Sequence, residues 1–224
     1  MPHYPADMDD LAATIRALPV MAGPQLRFDP ATAPGEPTEL FRAWFAEAVA
    51  QGVAEPQVMH LSTADAAGRP SGRVVLLRDV TAEGWVFTAR STSRKGRELA
   101  ANPAAALTFY WPGIGRQVRV GGTVQPASPR RSAADSLARP QYARIPDLAG
   151  PESEPLADLG ELARAYEAAR ARLDADPDAV APDHTVYVLA HDEVEFFHGS
   201  PDRRHVRLHY WREPAGWSTT LLWP

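Results

Sequence analysis

No cysteine occurs in the 224 residues, which removes disulfides, thiolate nucleophiles and cysteine-based metal sites together. No apolar run approaches the roughly 18 to 20 residues of a membrane helix, so a spanning protein is not expected. The opening "MPHYPADMDDLAATIRALPV" lacks a basic start followed by an apolar stretch. Secretion therefore finds no support, and a cytoplasmic location is the expectation. A basic surplus is missing too. The formal net charge is -5, whereas general nucleic-acid binders carry excess cations to neutralise phosphates. Any anion site must then be local. There is no Gly-x-Ser-x-Gly elbow, no phosphate loop ending in Gly-Lys-Ser/Thr and no Gly-x-Gly-x-x-Gly after a strand, which argues against a serine hydrolase or a nucleotide triphosphatase. His205 and His209 could share a strand face, but no carboxylate cluster stands beside them in the sequence, so no metal is expected.

What is present is globular: 45% hydrophobic and 23% charged residues. Pro2, Pro5, Pro19, Pro24, Pro30, Pro34 and Pro37 mark residues 1–37 as a mostly irregular arm with one helical stretch, "MDDLAATIRAL". Residues 38–224 read as a single domain. It opens on an amphipathic helix, "TELFRAWFAEAVAQG", with Thr38 as N-cap and Phe41, Trp44, Phe45 and Ala48 on one face. From Gln57 the apolar period becomes that of strands: "QVMHLSTAD", "GRVVLLRDV", "GWVFTAR", "AAALTFYW" and "RQVRVGGTVQ", then "TVYVLA", "VEFF", "RHVRLHYWRE" and "GWSTTLLW". Helices are expected over "SRKGRELAAN" with Ser93 as cap, over Pro129 to Ala138, and over Leu156 to Leu173. About eight strands in antiparallel order, with helices inserted, predict a mainly β fold with added helices, closed as a barrel.

Four basic clusters stand out from the acidic background. Arg73 and Arg78 flank "VVLL"; five apart in a strand, they should point to opposite faces and do different jobs. Arg94 and Lys95 lie in the first turn of the helix capped by Ser93, where free N-H groups and the dipole already favour an anion. Arg203, His205 and Arg207 alternate along one face if the strand is regular, and would repel one another without a negative ligand. Arg130, Arg131 and Arg139 form the fourth cluster, and a helix surface accounts for the first two.

"RVVLLRD", "SRKGREL", "RQVRVGG" and the tail "VEFFHGSPDRRHVRLHYWRE" resemble, in order and spacing, the pyridoxamine 5'-phosphate oxidase family of FMN-binding split β-barrels. The resemblance runs from about Phe41 to Pro224. It implies an FMN-dependent oxidase that takes hydride equivalents from a carbon bound to nitrogen or oxygen and passes them to O2, with the site built across a homodimer. Carried over by position, Arg73, Val74, Val75, Leu76, Leu77, Arg78, Arg94, Lys95 and Gln117 would contact FMN from one subunit, with Thr88, Ser93 and Glu152 on the cofactor side. Ser153, Phe197 and Arg207 would reach the FMN of the other subunit. Asp135, Arg139, Arg203 and His205, with Arg78, would face the substrate. Arg203 and His205 would orient it over the flavin, His205 assisting proton movement because imidazole titrates near neutrality.

The departures bear on the substrate. Pyridoxamine phosphate oxidases hold the substrate phosphate with a lysine, a tyrosine, an arginine and a serine, and those positions are Arg78, Asp135, Arg139 and Ala143 here. An aspartate repels a phosphate unless it is turned away or neutralised. "FYW", "SRKGREL" and "VYVLAHDEVEFF" look similar to the phenazine-biosynthesis branch. The expectation is an oxidase of a small reduced N-heterocycle or amine in natural-product biosynthesis. The alternatives are a pyridoxine or pyridoxamine 5'-phosphate oxidase, a non-catalytic flavin-binding module, or a deazaflavin reductase of the same fold.

Overall fold

The computed structural model describes residues 10–24 and 26–224; Pro2, Pro5 and the first two residues of "MDDLAATIRAL" lie outside them. The first helix, α1 (Leu11–Ala17), is capped by Asp10, whose carboxylate accepts the Ala13 N-H. The second, α2 (Pro37–Ala50), starts one residue before the expected Thr38 cap. A proline at the first helical position needs no hydrogen-bond partner for its nitrogen, so Glu36 flanks the helix and Thr38 sits inside it. Of the face expected to be buried, Phe41, Trp44 and Ala48 are buried and Phe45 is half-buried, while Leu40 is buried as well.

The strands follow as β1 (Val58–Ala64), β2 (Pro70–Thr81), β3 (Gly84–Arg90), β4 (Ala104–Trp111), β5 (Arg116–Pro126), β6 (His184–His198), β7 (Val206–Glu213) and β8 (Gly216–Leu222). Their order is β3-β2-β1-β4-β5-β6-β7-β8, and β3 also pairs with β6. Six antiparallel strands thus close into a barrel, from which β7 and β8 continue as a flap. Closure removes the barrel's own sheet edges. Inside lie Met59, Leu61, Trp85, Phe87, Leu107, Phe109, Val118, Val120 and Phe196. Helix α2 lays Phe41 edge-on against Trp85 with 4.3 Å between centroids, and Trp44 against Phe196 at 5.1 Å. Burying that aromatic set supplies much of the apolar area that stabilises the barrel.

Helix α3 (Arg94–Ala101) and helix α4 (Pro129–Ala138) stand where the sequence predicts them. Helix α5 (Gln141–Ala149) was not expected, because Pro146 inside it reads as a breaker. Helix α6 runs Leu159–Ala175 rather than from Leu156; Asp158 caps it by accepting the Glu161 N-H. Its buried residues are Ala169 and Leu173 only, so the leucines of its first half face outward.

"TVYVLA" and "VEFF" belong to one strand, β6. The polar "HDE" between them breaks the apolar pattern but not the strand, because a bulge skips Asp192 opposite Gly121 and Gly122. A side chain at Gly122 would stand 2.1 Å from the Ala190 carbonyl, which is why the glycine pair is there. Among the described residues no helix is long and apolar enough to cross a membrane.

Candidate functional site

Along β2 the residues alternate as the sequence requires. Arg73, Val75 and Leu77 are half-buried on the barrel side; Val74 and Leu76 project outward at 65% and 45% exposure. Register then shifts between Leu77 and Asp79, so Arg78 sits in a bulge and turns away from Arg73. The two arginines therefore serve different surroundings, as expected for positions five apart.

Arg73 reaches across β1 toward α3. Its guanidinium donates to the Leu61 carbonyl at 3.1 Å, to Thr63 Oγ1 at 2.6 Å, to Ser71 Oγ and to Glu98 Oε2 at 3.1 Å. Ser93 caps α3, accepting the Gly96 N-H. Arg94 Nε bonds Glu98 Oε1 at 2.8 Å one turn on. Lys95, the chain's only lysine, contacts Ser93 Oγ at 3.4 Å and the Glu152 carboxylate. The Arg94 N-H donates to Ser153 Oγ at 3.1 Å. Arg73, Ser93, Arg94, Lys95, Glu152 and Ser153 thus converge on one helix N-terminus. The segment after α5 returns to α3, which places Ser153 beside this chain's own cluster.

Glu98, which the sequence reading missed, organises this cluster. Burial pushes its carboxyl up, but the hydroxyls of Ser71 and Thr63 and the guanidiniums of Arg94 and Arg73 outweigh that and lower it to about 2. The signal was present: Arg94 and Glu98 are four apart on one helix face.

On the outward face, Tyr110, Gln117, Phe197 and Arg207 form one row across β4, β5, β6 and β7. Arg207 is held by Glu195 through two bonds of 2.8 and 3.0 Å, and donates to the Trp223 carbonyl at 2.8 Å. His205 precedes β7; its ring lies 5.0 Å from that of Phe197. Its Nδ1 accepts the Ser200 N-H at 3.0 Å, so the ring hydrogen is on Nε2. Arg203 departs from the expected strand alternation. It sits in a turn with φ 67 and is exposed, because β7 begins only at Val206. Thr88 lies on β3 opposite Val186, away from this row.

A third group gathers the substrate-side positions. Arg78 Nη2 stands 3.8 Å from Asp135 Oδ1. Asp135 Oδ2 meets His184 Nε2 at 2.9 Å, and His184 Nδ1 meets Asp147 Oδ2 at 3.1 Å. Arg139 bonds Asp147 and the Ala143 carbonyl. So Arg78, Asp135, Arg139 and Ala143 are neighbours, and His184 with Asp147 joins them unannounced. Burial of His184, at 2% exposure, disfavours its charge, yet Asp147 and Asp135 raise its pKa above the usual value. Burial likewise opposes ionisation of Asp147, while His184 and Arg139 carry it below the usual carboxylate range.

Comparison with known proteins gives the following. Residues 45–173 match the family model described as pyridoxamine 5'-phosphate oxidase, and residues 184–224 match the pyridoxine 5'-phosphate oxidase C-terminal dimerisation region. A pyridoxine/pyridoxamine 5'-phosphate oxidase of Rhodopseudomonas palustris is 42% identical over 197 residues, 86% of this chain and 92% of that protein. Its counterpart in Pseudomonas paraeruginosa is 39% identical over 197 residues, 87% and 91% of the two chains. The solved structure of PhzG from Burkholderia lata in complex with tetrahydrophenazine-1-carboxylic acid superposes with a TM-score of 0.83 at 31% identity, covering 91% of this chain and 100% of that one.

Proposed function

Because this chain belongs to the pyridoxamine 5'-phosphate oxidase family, we propose that it is an FMN-dependent homodimeric oxidase whose substrate is a reduced N-heterocycle or amine without a phosphate group, of the kind used in natural-product biosynthesis. The observation that carries the cofactor reading is the convergence of Arg73, Arg94, Lys95 and Ser153 on the α3 N-terminus. Three cations and a capped helix end are a donor set for a phosphate monoester. The residues fit FMN in a second respect: on the outward face Gln117 would offer an amide to the ring heteroatoms of one FMN, and its strand neighbour Phe197 would offer an aromatic surface to the FMN of the other subunit.

When bound, FMN would supply a hydride acceptor that O2 can reoxidise, with hydrogen peroxide as the product. Lys95 and Arg94 would hold its phosphate end. Glu195 fixes the Arg207 guanidinium in one plane, so Arg207 is presented to the row without rotamer freedom. His205 offers Nε2-H, since Nδ1 is occupied by the Ser200 amide, and so donates a hydrogen bond to the substrate in this state. Arg203 supplies positive charge from the adjoining turn.

Replacing Lys95 by Ala should remove a charge-assisted phosphate contact worth roughly 1.5–3 kcal/mol, a ten- to hundredfold rise in the FMN dissociation constant, read by quenching of flavin fluorescence. Replacing His205 by Ala should leave the flavin bound and lower turnover by about 10²-fold or more. Flavin lost from the His205 variant, or held unchanged by the Lys95 variant, would reverse these assignments.

A second reading, pyridoxine or pyridoxamine 5'-phosphate oxidation, is favoured by relatives of that name at 39–42% identity. The two carboxylates among the substrate-side residues weigh against it.

A further inference from the structure

Trp223, the residue after β8, is 93% exposed, more than any other large apolar side chain among the described residues. Tryptophan is a residue that proteins keep largely covered, because its indole carries so much apolar surface. The backbone beneath it is held in place. Leu222 still pairs with Arg207 across the β7–β8 ladder, and the Trp223 carbonyl accepts from Arg207 Nη1 at 2.8 Å. Arg207 is itself clamped through Nε and Nη2 by Glu195, a buried carboxylate. So the carboxylate fixes the guanidinium, and the guanidinium fixes the residue that bears the indole. Three of the five Arg207 donors are spent inside its own chain. The uncommitted binding surface beside it is the indole.

Resting on the oxidase reading above, we propose that Trp223 binds the cofactor across the subunit boundary: its indole stacks on the flavin ring whose phosphate is held by Lys95 and Arg94 of a second copy of this chain. Within one copy the two features are built on different parts of the fold. Helix α3 packs against β1 and β3, whereas β7 and β8 run on past the closed barrel as a flap. That flap lies inside residues 184–224, the part matched by the dimerisation region. A flavin ring is planar and electron-poor, an indole planar and electron-rich, and such a pair stacks well. Stacking also takes the most exposed of these side chains out of water. Because the anchor is a backbone carbonyl, it uses up none of the indole surface.

The test is titration of the full-length dimer and its variants with FMN, read by flavin fluorescence. Trp223→Ala should raise the dissociation constant at least tenfold, the order expected for one lost aromatic stack. Trp223→Phe should restore most of the affinity, and both variants should elute as dimers with an unchanged circular dichroism spectrum. The decisive sample is a heterodimer of differently tagged chains, Lys95→Ala in one copy and Trp223→Ala in the other. If the indole serves the second copy's flavin, one site keeps cluster and indole together while the other loses both. Half of the sites should then bind FMN with the affinity of the unmodified protein. If the indole serves its own chain's flavin, every site lacks one contact and none binds normally, which overturns the proposal. Trp223→Ala that binds FMN as before also overturns it, and so does Trp223→Ala that elutes as a monomer, since the residue is then a subunit contact. The parent reading fails differently. Unmodified protein that binds no FMN overturns both, whereas Lys95→Ala that binds it unchanged contradicts the α3 phosphate site and leaves the Trp223→Ala affinity to decide the indole.

Discussion

Glu152 places its carboxylate on Lys95, at the spot where the cationic cluster would meet a phosphate. The like charges of Glu152 and an incoming phosphate compete for one ammonium, so the Glu152→Gln variant should bind FMN about tenfold more tightly, roughly the difference between keeping and losing one charged competitor. Fluorescence titration checks this, and an unchanged or weaker affinity would mean that Glu152 does not compete. Single residues differed in how far the sequence betrayed them. Arg94 and Lys95 were legible because a serine cap and two cations in a first turn form a local pattern. Glu98 was not singled out, since "REL" reads equally well as a solvated helix face until Arg73 arrives from β2. His184 carried no signal: one carboxylate that holds it is 49 residues away on α4, and only the fold brings them together.

At the scale of elements, α3 is the piece whose placement matters most. Its third residue, Gly96, lies so close to the preceding loop that a Cβ would stand 2.4 Å from the Ser91 carbonyl oxygen and 2.5 Å from that of Arg90. Gly96→Ala should therefore push the helix N-terminus off the loop. The expected outcome is weaker FMN binding together with lower thermal stability, measured by flavin retention on gel filtration and by melting. An alanine variant that keeps both would show that the close approach is dispensable. Strand alternation was readable in β2 because "VVLL" between two arginines has only one way to divide its faces, and the bulge at Arg78 refined that division. The tail was read less well. "RRHVRLHY" alternates on paper, but Asp202 accepts from the Arg204 amide and side chain and bends the chain, so the strand starts late. Helix α5 escaped because propensity reasoning treats an internal proline as a stop, whereas Arg144 tethers the helix to the carbonyls of Pro177 and Ala179.

For the whole molecule, the closed barrel followed from the count and spacing of strand-like runs, while the pair of strands that seals it, β3 and β6, far apart in sequence, had to be seen. Stability should depend on pH through buried and half-buried histidines of opposite sign. Burial and Arg212 hold His191 down, to about 4, and burial and Arg116 also lower His198. The stability these two contribute is present above pH 6.5 and falls as the pH drops toward 4. His184, raised by its two carboxylates against its burial, contributes stability that is present below pH 6.5 and is lost as the pH rises through its folded pKa. Together they place a maximum in melting temperature near pH 6.5, where each kcal/mol is worth about 2–4 °C for a chain of this size. His184→Asn should flatten the alkaline limb and leave the acid limb intact; equal alkaline limbs in both proteins would contradict the bridging role. The central claim, a flavin oxidase that has exchanged phosphate recognition for another chemistry, is tested most directly by anaerobic mixing. FMN-loaded protein is mixed with pyridoxine 5'-phosphate in one sample and with tetrahydrophenazine-1-carboxylic acid in another, while the flavin absorption band is followed. The account predicts that the reduced heterocycle bleaches the band, that air restores it, and that the phosphate ester leaves it unchanged. Rapid bleaching by pyridoxine 5'-phosphate, with none by the heterocycle, would contradict it.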